Sequence, residues 1–211
     1  MALADSDDPH RLNLAYQEMS ELPKNIIQHY SKTTFAVDLS HNRFSDLRTL
    51  EAFENVHTLI LDNNLVTSHT KFPPLPCLHT LWVNRNKINN LTTFVEMLAQ
   101  NFPGLKFLSM MNNPAAPSYF NGGTYQQFLD YRQYVISQLP ALEMLDDQAI
   151  KWEERQEAER IYKPMFTTKQ RSKKKTGRRS SKTKRQSSRE AEDTNEIVDS
   201  LPDLPDLAGE S

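Results

Sequence analysis

Side chains able to do covalent or metal chemistry are sparse in this sequence. His57 and His79 stand 22 residues apart, an echo that would set two imidazoles side by side. Two histidines without a third ligand or an acidic neighbour make a poor zinc site, so no metal is expected. Cys77 is the one cysteine, which excludes an intrachain disulfide and a multi-cysteine metal site. Gly122 and Gly123 are the only paired glycines and lie in a loop before a helix, outside any phosphate-binding pattern, and no nucleophile motif occurs. The expectation is a protein that is not an enzyme and carries no cofactor.

Binding chemistry is better represented. Lys173, Lys174, Lys175, Arg178, Arg179, Lys182, Lys184 and Arg185 form a basic tract suited to RNA, an anionic surface or an import receptor, since attraction needs only charge density. No aromatic residue interleaves it, so it offers no stacking platform for bases. Serines follow the basic residues, and phosphates on Ser181 and Ser187 would weaken that attraction. Further on, Leu201, Leu204 and Leu207 recur at every third position, as do Pro202 with Pro205 and Asp203 with Asp206. A polyproline II helix has three residues per turn, so this phase would align an aliphatic, a proline and an acidic edge for a second protein partner.

These segments explain a misleading charge balance. The 211 residues hold 25 Lys and Arg against 27 Asp and Glu, a net charge of -2. Residues 169–189 carry 11 bases and no acid, whereas residues 190–211 carry 8 acids and no base. Residues 169–189 also lack any apolar side chain, so residues 165–211 are expected to be a disordered tail, basic and then acidic. The start MALADSDDPHR is acidic and has no apolar core of the signal-peptide kind, and no apolar run approaches the ~18 residues of a membrane span. Cytoplasmic or nuclear residence follows as the expectation.

The body is organised by a repeat. TFAVDLSHN (34–42), VHTLILDNN (56–64), LHTLWVNRN (78–86) and LKFLSMMNNP (105–114) align on Asn42, Asn64, Asn86 and Asn113, with a degenerate first copy at 9–17 where Gln17 takes the asparagine place. The intervals of 22, 22 and 27 fit a leucine-rich repeat of pattern LxxLxLxxN. The expected fold is an α/β solenoid with a concave parallel β-sheet. Its parts would be a flexible N-terminus (1–8), five repeats (9–114), a C-terminal cap (115–164) and the tail. Leu59, Leu61, Leu81 and Val83 would point inward by the period of two, with Phe44, Leu47, Val66, Ile88 and Leu91 closing the core from the other side. An open solenoid needs its ends covered, and Tyr131, Val135, Ile136 and Leu139 at helical spacing, followed by Leu142 and Leu145, predict a helix and a short strand-like segment. A charged helix is expected from about Ile150 to Tyr162.

The 22-residue period, the Asn113-Pro114 ending of the last repeat and the cap YRQYVISQLPALEMLD resemble the intracellular leucine-rich repeat proteins of the phosphatase-regulator and ribonucleoprotein A-prime type. Over roughly residues 47–160, LILDNN (59–64), LPCLHTLWVNRNKI (75–88) and LPALEMLD (139–146) are most similar to a member tied to pigment-cell differentiation. The resemblance implies a non-enzymatic scaffold or adaptor that presents its concave sheet to another protein. Outward strand positions place Ile60, Trp82, Phe107 and Met111 together, with Asp62, Asn84 and Arg85 beside them, and this is the expected protein-binding site. The alternative is a nuclear ribonucleoprotein adaptor whose basic tract contacts RNA.

Overall fold

Asn42, Asn64, Asn86 and Asn113 are all buried, and each donates to carbonyls of two successive repeats and accepts from a backbone amide of the returning chain. The Asn64 Nδ2 donates to the Leu39 and Leu61 carbonyls at 2.9 and 3.1 Å, while its Oδ1 accepts from the Phe44 amide at 2.9 Å. Asn86 donates to Leu61 and Val83 and accepts from Val66, and Asn113 donates to Val83 and Met110 and accepts from Ile88. The Leu39, Leu61 and Val83 carbonyls each serve two successive asparagines, Asn42 supplying the other bond at Leu39. The result is a continuous ladder that satisfies buried backbone groups where the chain leaves each strand. Just before these asparagines, His41, Asn63, Arg85 and Asn112 adopt φ of 53 to 58°, the left-handed conformation that turns the chain out of the sheet.

The computed structural model describes residues 3–4, 8–118 and 121–162. An eight-stranded sheet runs in sequence order through β1 (Leu3–Ala4), β2 (Arg11–Asn13), β3 (Ala36–Asp38), β4 (Thr58–Ile60), β5 (Thr80–Trp82), β6 (Phe107–Ser109), β7 (Met144–Leu145) and β8 (Gln148–Ala149). Strands β2 to β7 are parallel, with Leu12, Val37, Leu59, Leu81, Leu108 and Leu145 aligned across the pairs and buried. An unpaired strand edge is a template for association. Both edges of the parallel array are covered by an antiparallel neighbour, β1 on β2 and β8 on β7. Leu3 and Ala4 were expected in a flexible N-terminus. They pair instead with β2, whose outer backbone groups would otherwise be left without partners.

Helices lie among the returns on the convex side. These are α1 (Lys24–Tyr30), a 3₁₀ segment (Arg48–Ala52) and α2 (Leu91–Asn101), whose N-cap Asn90 accepts from the Thr93 amide. The long interval between Asn86 and Asn113 holds α2, which buries Phe94, Val95 and Leu98. Phe72 meets Phe94 and Phe102 edge-on at 6.2 and 5.7 Å. Phe44, Leu47, Val66 and Ile88 are buried as the repeat reading requires, and Leu91 packs against them partly exposed.

The cap is α3 (Tyr125–Gln138), the β7–β8 hairpin and a helical stretch over 152–162. Thr124 and Gln127 form a reciprocal capping box at the start of α3. Tyr131, Val135, Ile136, Leu139, Leu142 and Leu145 are buried together. Arg132 is joined to them at 3% exposure, held by both Glu154 oxygens (2.6 and 3.0 Å) and the Leu145 carbonyl (3.0 Å). Arg155 donates to the Ile136 carbonyl in the last turn of α3 and to the Leu142 carbonyl beyond it.

Two stability tests follow. Asn64→Ala strands the Phe44 amide and removes one of the two asparagine donors at the Leu39 and Leu61 carbonyls, and should lower the unfolding free energy in urea by about 2–3 kcal/mol, whereas Asn63→Gly should change it little. Arg132→Ala leaves Glu154 without its cation and should lower stability by about 3–5 kcal/mol. A silent Asn64→Ala would show that the ladder does not hold the repeats.

Candidate functional site

The strand register fixes which outward side chains touch. Thr58, Thr80, Phe107 and Met144 are lateral neighbours, and Ile60, Trp82 and Ser109 form the next column. At the strand exits the Asn63 amide bonds the Asn84 carbonyl and the Arg85 amide bonds the Met111 carbonyl, which continues the register through Asp62, Asn84 and Met111. Trp82 is 44% exposed, Met111 39% and Met144 36%, while Ile60 and Phe107 are half-buried. A cavity of about 390 Å³ opens between Trp82, Phe107, Met111 and Met144, bordered by Asp62, Asn84, Asp146 and Asp147. Ile60 and Arg85 are not among the residues that line it. Ile60 sits one strand away beside Trp82, and Arg85 occupies the left-handed turn beyond the strand exit.

Met144, Asp146 and Asp147 were not singled out from the sequence. The signal lay in counting one more unit past Asn113, because Leu145 pairs with Leu108 and so puts Met144 beside Phe107.

The polar members of the site also hold the face together. The Asp62 carboxylate accepts from the Asn84 amide at 2.8 Å and from its Nδ2 at 3.2 Å. The Asn84 Oδ1 in turn accepts from the Ser109 hydroxyl at 2.7 Å and the Met111 amide at 2.8 Å. Asn84, expected at the binding site, spends its side-chain amide on neighbouring repeats. Asp146 accepts from the Met110 amide at 2.9 Å and the Tyr131 hydroxyl at 3.0 Å. Burial pushes the Asp146 carboxyl above its ordinary value, opposed by the bonds from Met110 and Tyr131 and by the nearby Arg132 guanidinium. Burial, with the Asp146 charge adding to it, also pushes the Tyr131 phenol well up.

His57 and His79 do lie side by side, as members of an exposed stack in which the rings of His10, Phe35, His57 and His79 follow at 4.6, 5.4 and 5.4 Å. Among the described residues no group of three or more His, Cys, Asp or Glu could hold a metal ion, and no helix is long and apolar enough to cross a membrane. The basic tract and the Leu201, Leu204 and Leu207 segment lie outside the described residues.

The family model described as leucine-rich repeat matches residues 31–176. The human leucine-rich melanocyte differentiation-associated protein is 38% identical over 127 residues, which span 58% of this chain and 64% of that protein. The human U2 small nuclear ribonucleoprotein A' is 31% identical over 130 residues, 61% of this chain and 46% of the relative. The chain thus spans less than two thirds of the length of either relative. The crystal structure of the Drosophila melanogaster SNF/U2A' complex superposes with a TM-score of 0.57 over 72% of this chain and 80% of that one, at 23% identity, a likeness of fold.

The titration of Asp146 is testable. Because its folded pKa is raised, the folded state holds this proton more tightly than the unfolded chain does. The stability it contributes is complete below the ordinary value of 3.8 and is lost as pH rises through the folded pKa. Asp146→Asn keeps an acceptor for the Met110 amide and abolishes the titration. Urea unfolding from about pH 4 to 7 should show that decline in the parent and a flatter profile in the variant, and parallel profiles would refute the assignment.

Proposed function

The chain belongs to the leucine-rich repeat family, and from that premise we propose that it is a non-enzymatic scaffold or adaptor whose concave face docks a protein partner. The observation that carries the reading is Trp82, exposed between Phe107, Met111 and Met144 at an open cavity inside a polar border. A large aromatic anchor within a polar rim is the anatomy of a binding hot spot, where a few residues supply most of the affinity. The hydrogen bonds of Asp62, Asn84 and Asp146 support it further, because they hold the cavity walls in place before a partner arrives and reduce the ordering that binding requires. A repeat protein of the same fold, U2A', is found in complex with SNF. The likeness to the melanocyte differentiation-associated protein supports a part in pigment-cell differentiation as the setting.

A second reading, a nuclear ribonucleoprotein adaptor with RNA contacts from residues 169–189, is favoured by the relatives among U2 small nuclear ribonucleoprotein A' proteins. Salt separates the two. RNA binding through a dense basic tract weakens steeply with ionic strength, whereas docking through an apolar anchor responds far less.

Affinity capture with the full chain and with Trp82→Ala, followed by calorimetry on the identified partner, tests the proposal. Trp82→Ala should weaken binding by about 2 kcal/mol or more and leave the melting temperature nearly unchanged. A collapse in melting temperature would place Trp82 in the core, and unchanged affinity would remove the concave face from the interaction.

A further inference from the structure

Resting on the concave-face reading above, we infer that the cavity beside Trp82 accepts an apolar side chain adjoined by a lysine or arginine, both from one segment of the partner. The charge of the site carries this. Asp62, Asp146 and Asp147 border the cavity, and among the described residues no Lys, Arg or His lines it. Several carboxylates elsewhere on the molecule are paired with a cation. One strand earlier Asp38 faces Arg11 at 3.9 Å, and on the cap Glu154 holds Arg132 at 2.6 Å. Asp62 and Asp147 have no ion-pair partner among the described residues. Asp147 is exposed at the tip of the β7–β8 hairpin, directly after Asp146. Like charges along one apolar cleft concentrate their field there, and an incoming cation removes their mutual repulsion.

The shape agrees. A second cavity of about 560 Å³ shares Met111, Asp146 and Asp147 with the first and continues over Pro117 and Phe128 to Tyr125 at the start of α3. The carboxylates thus stand between two apolar stretches, which suits an extended segment reading apolar, basic, apolar. An acidic segment would meet the same carboxylates at close range. The α3 N-terminus offers it no compensation, since Thr124 and Gln127 already cap that end.

The test uses two displayed libraries of peptides about a dozen residues long, one with lysine fixed at the centre and one with glutamate, each panned against the full chain. Enrichment is expected from the lysine library alone, with an aromatic or aliphatic residue beside the fixed position. The strongest binder, made synthetically, should bind about threefold more weakly to Asp62→Asn and to Asp147→Asn, and about thirtyfold more weakly to Trp82→Ala, with parent melting temperatures retained. Asp147→Asn is the cleaner variant because Asp62 also bonds Asn84. Enrichment from the glutamate library, enrichment from neither, or indifference to both aspartate substitutions overturns the inference. Binders that need Trp82 yet ignore the charges would overturn this inference alone, whereas binders indifferent to Trp82 would overturn the concave-face reading as well.

Discussion

Backbone hydrogen bonding across repeat boundaries, supplied by asparagine side chains, is the constraint on which the other features of this molecule rest. A strand of three residues has too few ladder bonds to fix its own register. Each asparagine adds two bonds to carbonyls of adjacent strands and one from the returning chain. Because Leu61 O and Val83 O are shared between successive units, a displaced repeat would strand buried groups in its neighbours as well. With inward leucines so aligned, outward side chains stack at the interstrand distance of about 4.8 Å. That distance brings Trp82, Phe107 and Met144 onto adjacent strands as one apolar wall.

The end of the solenoid is both a structural problem and part of the site. Leu145 continues the inward column, but Asp146 takes a left-handed conformation at φ 58° and the chain reverses into β8 rather than beginning another repeat. The reversal delivers Met144, Asp146 and Asp147 to the cavity border. Tyr131 from α3 then bonds Asp146, and Arg132 from the same helix ties Leu145 to Glu154. Cap and concave face are therefore linked through one short hairpin, and damage to the cap reaches the site directly.

Much of this was readable in the residues. Strand positions, inward leucines, the outward columns and the cap residues Tyr131 to Leu145 follow from periods of two, 22 and roughly 3.6, and all of them depend on local pattern repeated along the chain. The remaining features depend on relations that pattern does not encode. The helical stretches α1 and α2 sit in intervals where the repeat tolerates many returns, so no period marks them. Leu3 and Ala4 pair because an edge is vacant, a property of the assembled sheet and not of those two residues. Asn84 reads as an exposed polar group, yet its neighbours Ser109 and Met111, 25 and 27 residues on, consume its oxygen. The acidity of the cavity emerges only when the hairpin places Asp146 and Asp147 opposite Asp62.

Native-state hydrogen exchange on the full chain addresses the ladder most directly. The amides of Phe44, Val66 and Ile88 lie outside every strand and donate to Asn64, Asn86 and Asn113 at 2.9, 2.9 and 3.1 Å. They should exchange only through global unfolding, with the same opening free energy as the amides of Leu61 and Val83, which lie one residue past β4 and β5 and donate to the Trp82 and Ser109 carbonyls. Exchange of those three amides through local fluctuations, while the Leu61 and Val83 amides remained protected, would contradict the account and leave the register of the concave face without its support.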